Sequence, residues 1–196
     1  MCAMRARDNP FAAERLQTIR YRPLDTTLDQ ILTRLHELNY RGAIIGPEGS
    51  GKTTLLGDLQ RLLERKDLRT RLIFVNDTSR FDSPTCRRLL AELTHDQIVL
   101  LDGADLIRRG DWSLLKRHTI THAYGLVITS HHRGLLPTLI ECSTTPALLK
   151  AIVDDLLPRG RPIPAESLDR LHARHQGNLR ACLRELYDFS AQGHHV

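Results

Sequence analysis

The sequence predicts an α/β fold: a parallel sheet of about five strands flanked by helices, followed by a small all-helical C-terminal part. Three observations predict it. Short apolar runs alternate with amphipathic helical patterns along most of the chain. A glycine-rich stretch, GPEGSGKTTLL, stands between the first apolar run and a helix. Strand patterns then stop near Thr145-Pro146, and only helical spacing follows.

From Thr26 to Leu38, the residues Leu28, Ile31, Leu32, Leu35 and Leu38 recur at helical spacing. This helix leads into a first strand at Ala43 to Ile45. Past the glycine-rich turn, Leu55, Leu56, Leu59, Leu62 and Leu63 mark an amphipathic helix that ends near the charged ERKD. RLIFV reads as a second strand, followed by the polar NDTSRFDSPT, whose Pro84 suits the first turn of a helix reaching about Leu93. QIVLLD reads as a third, fully buried strand, LIRRGDWSLLKRH as a helix, YGLVITS as a fourth strand and TLIECS as a short fifth. ALLKAIVDDLL, PAESLDRLHARH and NLRACLRELYDF are successive helices without strands.

At 196 residues, 41% hydrophobic and 26% charged, the chain is large enough for one globular domain with a small appended subdomain. Lys and Arg total 28 against 23 Asp and Glu, a formal charge of +5. That balance admits an acidic or nucleic-acid partner without a dense basic run to demand one. Cys2, Cys86, Cys142 and Cys182 lie far apart, with no spacing suited to a metal, and read as free thiols of a reducing compartment. The N-terminal stretch has charges throughout and no apolar targeting core, and no later run approaches a membrane span. A cytoplasmic protein is the expectation.

Gly46, Gly51, Lys52 and Thr53 match G-x-x-x-x-G-K-[ST], between a strand and a helix as a phosphate cradle requires. Glycines let the backbone N–H groups of Gly46, Pro47, Glu48, Gly49, Ser50, Gly51, Lys52, Thr53 and Thr54 turn inward wherever such a group exists, and the helix N-terminus adds positive potential. Lys52 is expected on the β- and γ-phosphates of ATP, and the Thr53 hydroxyl on Mg²⁺. The partner element is a carboxylate closing another buried strand, which QIVLLDGAD supplies as Asp102. Gly103 stands where many ATPases carry a Glu that polarises the attacking water; Asp105 is the nearest substitute and Asp77 a weaker one. The fold class is therefore a P-loop NTPase, with a three-layer parallel sheet in 1–145 and an all-helical part in 146–196.

The order of elements resembles the AAA+ ATPases and the related STAND group, and the resemblance makes 146–196 a helical lid. Asn9-Pro10-Phe11 resembles the AAA+ segment that packs near adenine. Thr129, with Ser130, is similar to the polar sensor that reads the γ-phosphate at the end of a strand. GNLRACLRELYD resembles the start of the last lid helix, where the resemblance makes Arg180 a γ-phosphate ligand; the residues themselves show Leu179, Leu183 and Leu186 on one face with Arg180 off it. DGAD and ITSHHR lean toward STAND proteins. One departure bears on assembly: HHRGLLP is too short for the full helix that carries the trans-acting arginine in ring-forming members, so Arg133 would have to act from a loop and a stable hexamer is not expected.

Two further clusters are read blandly. His131-His132 and His118 with His122 lack a convergent carboxylate or Cys and read as surface histidines. Trp112 with Arg108, Arg109, Lys116 and Arg117 reads as a helix packing its apolar side and solvating its cations, rather than as a nucleic-acid face. The expectation is an ATP-binding protein and slow Mg²⁺-dependent ATPase that switches conformation on a protein or DNA partner. A small-molecule or nucleotide kinase and a non-hydrolysing ATP-gated scaffold are the competing readings.

Overall fold

The computed structural model describes residues 9–75, 83–157 and 162–192. Asp77 and Cys2 lie outside them. The chain divides into two compact units: Pro23–Gly46 with Lys52–Cys142, and the stretch up to Arg22 with Pro47–Gly51 and Ser143–Val196.

The first unit is built on a five-stranded parallel sheet in the order β2-β3-β4-β1-β5. Its strands are β1 (Arg41–Ile45), β2 (Arg69–Phe74), β3 (Gln97–Asp102), β4 (Gly125–Ser130) and β5 (Thr138–Glu141). All six residues of β4 and the run Ile98–Leu101 of β3 are buried, as central strands covered on both faces must be. Side chains alternate across the sheet. Ala43, Ile45, Val99, Leu101, Leu126 and Ile128 pack with Leu89, Leu90, Trp112 and Leu115 of α4 (Ser83–Ala91) and α5 (Arg109–His122). The alternate residues Ile44, Ile98, Leu100 and Val127 are equally buried, and α3 (Lys52–Glu64) contacts β1 to β4 with buried Leu55, Leu56, Leu59 and Leu63. α2 (Leu28–Glu37) opens on a complete capping box: Gln30 N donates to Thr27 Oγ1 at 3.2 Å, and Thr27 N donates to Gln30 Oε1 at 2.9 Å.

The strands and the longer helices sit where the sequence puts them, with one departure; the short helix at Ala13–Leu16 was not expected. The expected helix over LIRRGDWSLLKRH begins instead at Arg109, after a 3-10 turn at Ala104–Leu106 and an extended Ile107. Gly103 causes the break: it has φ +86°, and a Cβ there would meet Val75 O at 2.5 Å. Trp112 is buried at 8% exposure in the core, which makes it a packing residue.

The second unit is helical: α1 (Ala13–Leu16), α6 (Pro146–Leu156), α7 (Ala165–Arg174) and α8 (Leu179–Ala191). Thr145 caps α6 by accepting from Leu148 N at 3.1 Å, with Pro146 at the first helical position. Asn178 caps α8 by accepting from Ala181 N at 3.0 Å. Leu149, Val153, Leu168, Leu171, Cys182 and Leu186 form its core, and Phe11 lies inside the same cluster at 1% exposure. Among the described residues no helix is long and apolar enough to cross a membrane.

Phe11 thus contributes a large apolar side chain to a core made mostly of C-terminal helices. Phe11→Ala is expected to cost about 3–5 kcal/mol, read as a fall in the urea-unfolding midpoint of the intact chain. An unchanged midpoint would show that this packing does not form in solution.

Candidate functional site

Parallel strands deliver the residues at their C-terminal ends to one edge of the sheet, and here that edge collects polar side chains. In the sheet unit, β3 ends on Asp102 and β4 carries Thr129 near its end, with Leu101 and Ile128 in register just before them. Asp102 accepts two hydroxyl hydrogen bonds: Thr53 Oγ1 donates to Oδ2 at 2.8 Å, and Thr129 Oγ1 donates to Oδ1 at 2.5 Å. Thr129, 1% exposed, also accepts from Gly103 N at 2.8 Å. One carboxylate therefore ties the start of α3 to the ends of two strands.

Lys52 is buried, and its ammonium donates to Gly46 O at 2.8 Å. Gly46 N donates to Ser130 O at 3.3 Å, and Ser130 Oγ donates to His132 O at 2.9 Å. Asp105, in the 3-10 turn after β3, has Oδ2 2.7 Å from Nδ1 of His131, the residue after β4. Its Oδ1 is buried with no hydrogen-bond partner among the described residues. Arg133 pairs with Glu141, which raises the guanidinium and lowers the carboxyl; no helix forms between β4 and β5.

In the helical unit, the loop Pro47–Gly51 is gathered by its own bonds, Ser50 Oγ donating to Pro47 O at 2.8 Å. Pro47 and Glu48 are exposed, while Ser50 is buried. Gly49 has φ +70°, and a Cβ there would stand 2.0 Å from Asn178 Oδ1, so the cap of α8 lies directly against the loop. A Cβ on Gly51, at φ +89°, would lie 3.2 Å from the Tyr21 ring. Arg180 is exposed on the first turn of α8. Asn9 is fully buried: its amide donates to Tyr187 O at 2.9 Å and its Oδ1 accepts from Phe11 N at 3.0 Å. Pro10 and Phe11 are buried beside it.

The structure thus brings Lys52, Thr53, Asp102 and Thr129 together in one unit, and the loop glycines with the start of Arg180's helix in the other. Sequence reasoning missed the contacts of three residues. His131, read from the sequence as a surface histidine without a convergent carboxylate, meets the Asp105 carboxylate, because the two residues follow adjacent parallel strands. Asn178 read only as a helix start, although it also stands against Gly49. Tyr21 gave no signal, because its contact with Gly51 spans a long stretch of chain.

No protein-family model matches the chain, and no curated protein matches it. Solved structures do resemble it. The RuvB Holliday junction branch migration motor of Thermotoga maritima superposes with a TM-score of 0.55 at 16% identity, covering 81% of this chain and 58% of that one. Its P216G mutant gives 0.57 at 17%, covering 86% and 64%. NtrX from Brucella abortus, solved in complex with ATP, gives 0.56 at 14%, covering 91% and 52%. The chain spans less than two thirds of each of these neighbours. The five-stranded parallel sheet with its C-terminal helices gives this chain the fold of RuvB and NtrX, an AAA+ P-loop fold.

Proposed function

We propose that the chain binds ATP with Mg²⁺, hydrolyses it slowly, and uses the nucleotide state as a conformational switch on a protein or DNA partner. The observation that carries this reading is the doubly bonded Asp102 carboxylate, which sets the Thr53 hydroxyl 2.8 Å away behind a P-loop sequence. A hydroxyl and a carboxylate are hard oxygen donors, of the kind Mg²⁺ takes while keeping several waters, so these residues fit the ion. When bound, Mg²⁺ neutralises charge on the β- and γ-phosphate oxygens.

The chain's own residues have separate tasks. Lys52 exchanges the Gly46 carbonyl for phosphate oxygens, and the backbone N–H groups of the loop wrap the phosphates. Thr129 holds Asp102 in place and lies within one strand end of the γ-phosphate site. Arg180 follows the Asn178 that stands against Gly49, so α8 supplies a cation beside the loop that holds the phosphates. Asp105 takes the place of the missing water-polarising Glu. Asn9, Pro10 and Phe11 are the segment packed near the adenine, held in place by the Asn9 bonds to Tyr187 and Phe11. A reducing, cytoplasmic setting suits the buried thiols of Cys86, Cys142 and Cys182.

One neighbour is a motor on Holliday junctions, and the chain's formal charge of +5 is compatible with DNA. Arg133, occupied by Glu141 in its own chain, reaches a neighbouring copy only by giving up that pair. A stable ring is therefore not part of the proposal.

Lys52→Ala should weaken binding of a fluorescent ATP analogue by about 10–100-fold, the loss of one charge-assisted phosphate contact. Unchanged affinity would sink the reading. With the intact chain, ATP, Mg²⁺ and candidate acceptors, phosphate should appear in water; phosphate on an acceptor would establish a kinase instead, and binding without release would establish a scaffold.

Gly103→Glu is the complementary test. Because φ is +86° and Val75 O stands 2.5 Å from the new Cβ, the substitution should destabilise the chain by about 1–3 kcal/mol without accelerating phosphate release. A faster enzyme of unchanged stability would show that position 103 tolerates the usual base.

A further inference from the structure

We infer that His131 is a positioning residue for Asp105, so that the base for hydrolysis is a carboxylate–imidazole pair spanning the ends of β3 and β4. This inference rests on the ATPase reading and on Asp105 as its base. The backbone at Gly103 has no room for a side chain, so the first carboxylate able to follow Asp102 at this edge is Asp105. The 3-10 turn at Ala104–Leu106 holds it there, with Ala104 buried beneath at 1% exposure.

The two oxygens of Asp105 are in different situations. Oδ2 lies 2.7 Å from His131 Nδ1; since a carboxylate only accepts, Nδ1 carries the proton and donates. Oδ1 is buried and has no protein donor among the described residues. Oδ1 is thus turned inward, and Oδ2 is the oxygen that the His131 bond holds. His131 thereby fixes the carboxylate's rotation, instead of letting both oxygens swing into solvent. His131 itself is half exposed, its side chain at 43%, so its removal leaves no cavity in the core.

In the reaction, the water oxygen bonds to the γ-phosphorus while the bond from that phosphorus to the β-phosphate bridging oxygen breaks. The bond's electrons leave with ADP. One proton of the water passes to the Asp105 carboxylate, and ATP and water become ADP and phosphate. His131 keeps its proton throughout and acts only through orientation.

The test compares His131→Ala, His131→Asn, Asp105→Asn and the double variant His131→Ala/Asp105→Asn in the intact chain, reading kcat by phosphate release and ATP affinity with a fluorescent analogue. His131→Ala should lower kcat by about tenfold or more with ATP affinity unchanged. His131→Asn, whose amide donates from nearly the Nδ1 position, should recover most of that loss. Asp105→Asn should lower kcat by about 100-fold, and the double variant should be no slower than Asp105→Asn alone. A wild-type kcat for His131→Ala beside a slow Asp105→Asn overturns the inference and leaves the base assignment standing. A wild-type kcat for Asp105→Asn overturns both. Loss of ATP affinity or of folding stability in His131→Ala, in proportion to its activity, would assign His131 a merely structural role and overturn the inference as well.

Discussion

The Asp102 carboxylate is the tie on which the sheet edge depends. It receives one hydroxyl from Thr53 at the start of α3 and another from Thr129 on β4, and the Thr129 oxygen in turn receives Gly103 N. Three separate segments of chain are thereby fixed by two side-chain oxygens. A carboxylate is costly to bury without donors, and on the reading proposed above one of the donors, Thr53, is also a residue that a phosphate-bound metal would need. Structural and chemical demands fall on the same atoms.

That tie works only because the strands beneath it are rigid. β3 and β4 are buried on both faces, and their register places Leu101 opposite Ile128 just before the polar ends. A slip of one residue would turn Asp102 and Thr129 to opposite faces of the sheet. The apolar runs Ile98–Leu101 and Leu126–Ile128 fill both faces alike, so the register is marked by the polar residues that end them, Asp102 and Thr129. Packing at the centre of the sheet and the geometry of its edge are one constraint.

The sheet and the phosphate loop were legible in the sequence because both are local signals. QIVLLD is a continuous apolar run ended by a carboxylate, and GPEGSGKTT is a contiguous motif. The break before α5 was not legible, because it comes from a backbone contact between Gly103 and Val75 on a neighbouring strand. Phe11 was legible as an apolar residue near the N-terminus but not as a member of a core made by residues 148–186, since no periodicity reports contacts across such a separation. The same holds for Asp105 and His131, whose meeting follows from the adjacency of β3 and β4.

The corner at Gly103 explains why a carboxylate moved along the chain. Val75 N donates to Asp102 O at 2.9 Å, which carries the β2–β3 pairing one residue past β2. The same Val75 presents its carbonyl to the next residue of the neighbouring strand, closing the space in which a Cβ at position 103 would lie. The backbone answers with a positive φ that glycine alone adopts without strain. The turn then folds into the 3-10 segment, whose middle residue, Asp105, comes back toward the sheet edge and meets His131. On the reading proposed above, extending the strand pairing at β2 excludes the usual base, and the turn that this exclusion forces brings its replacement into place.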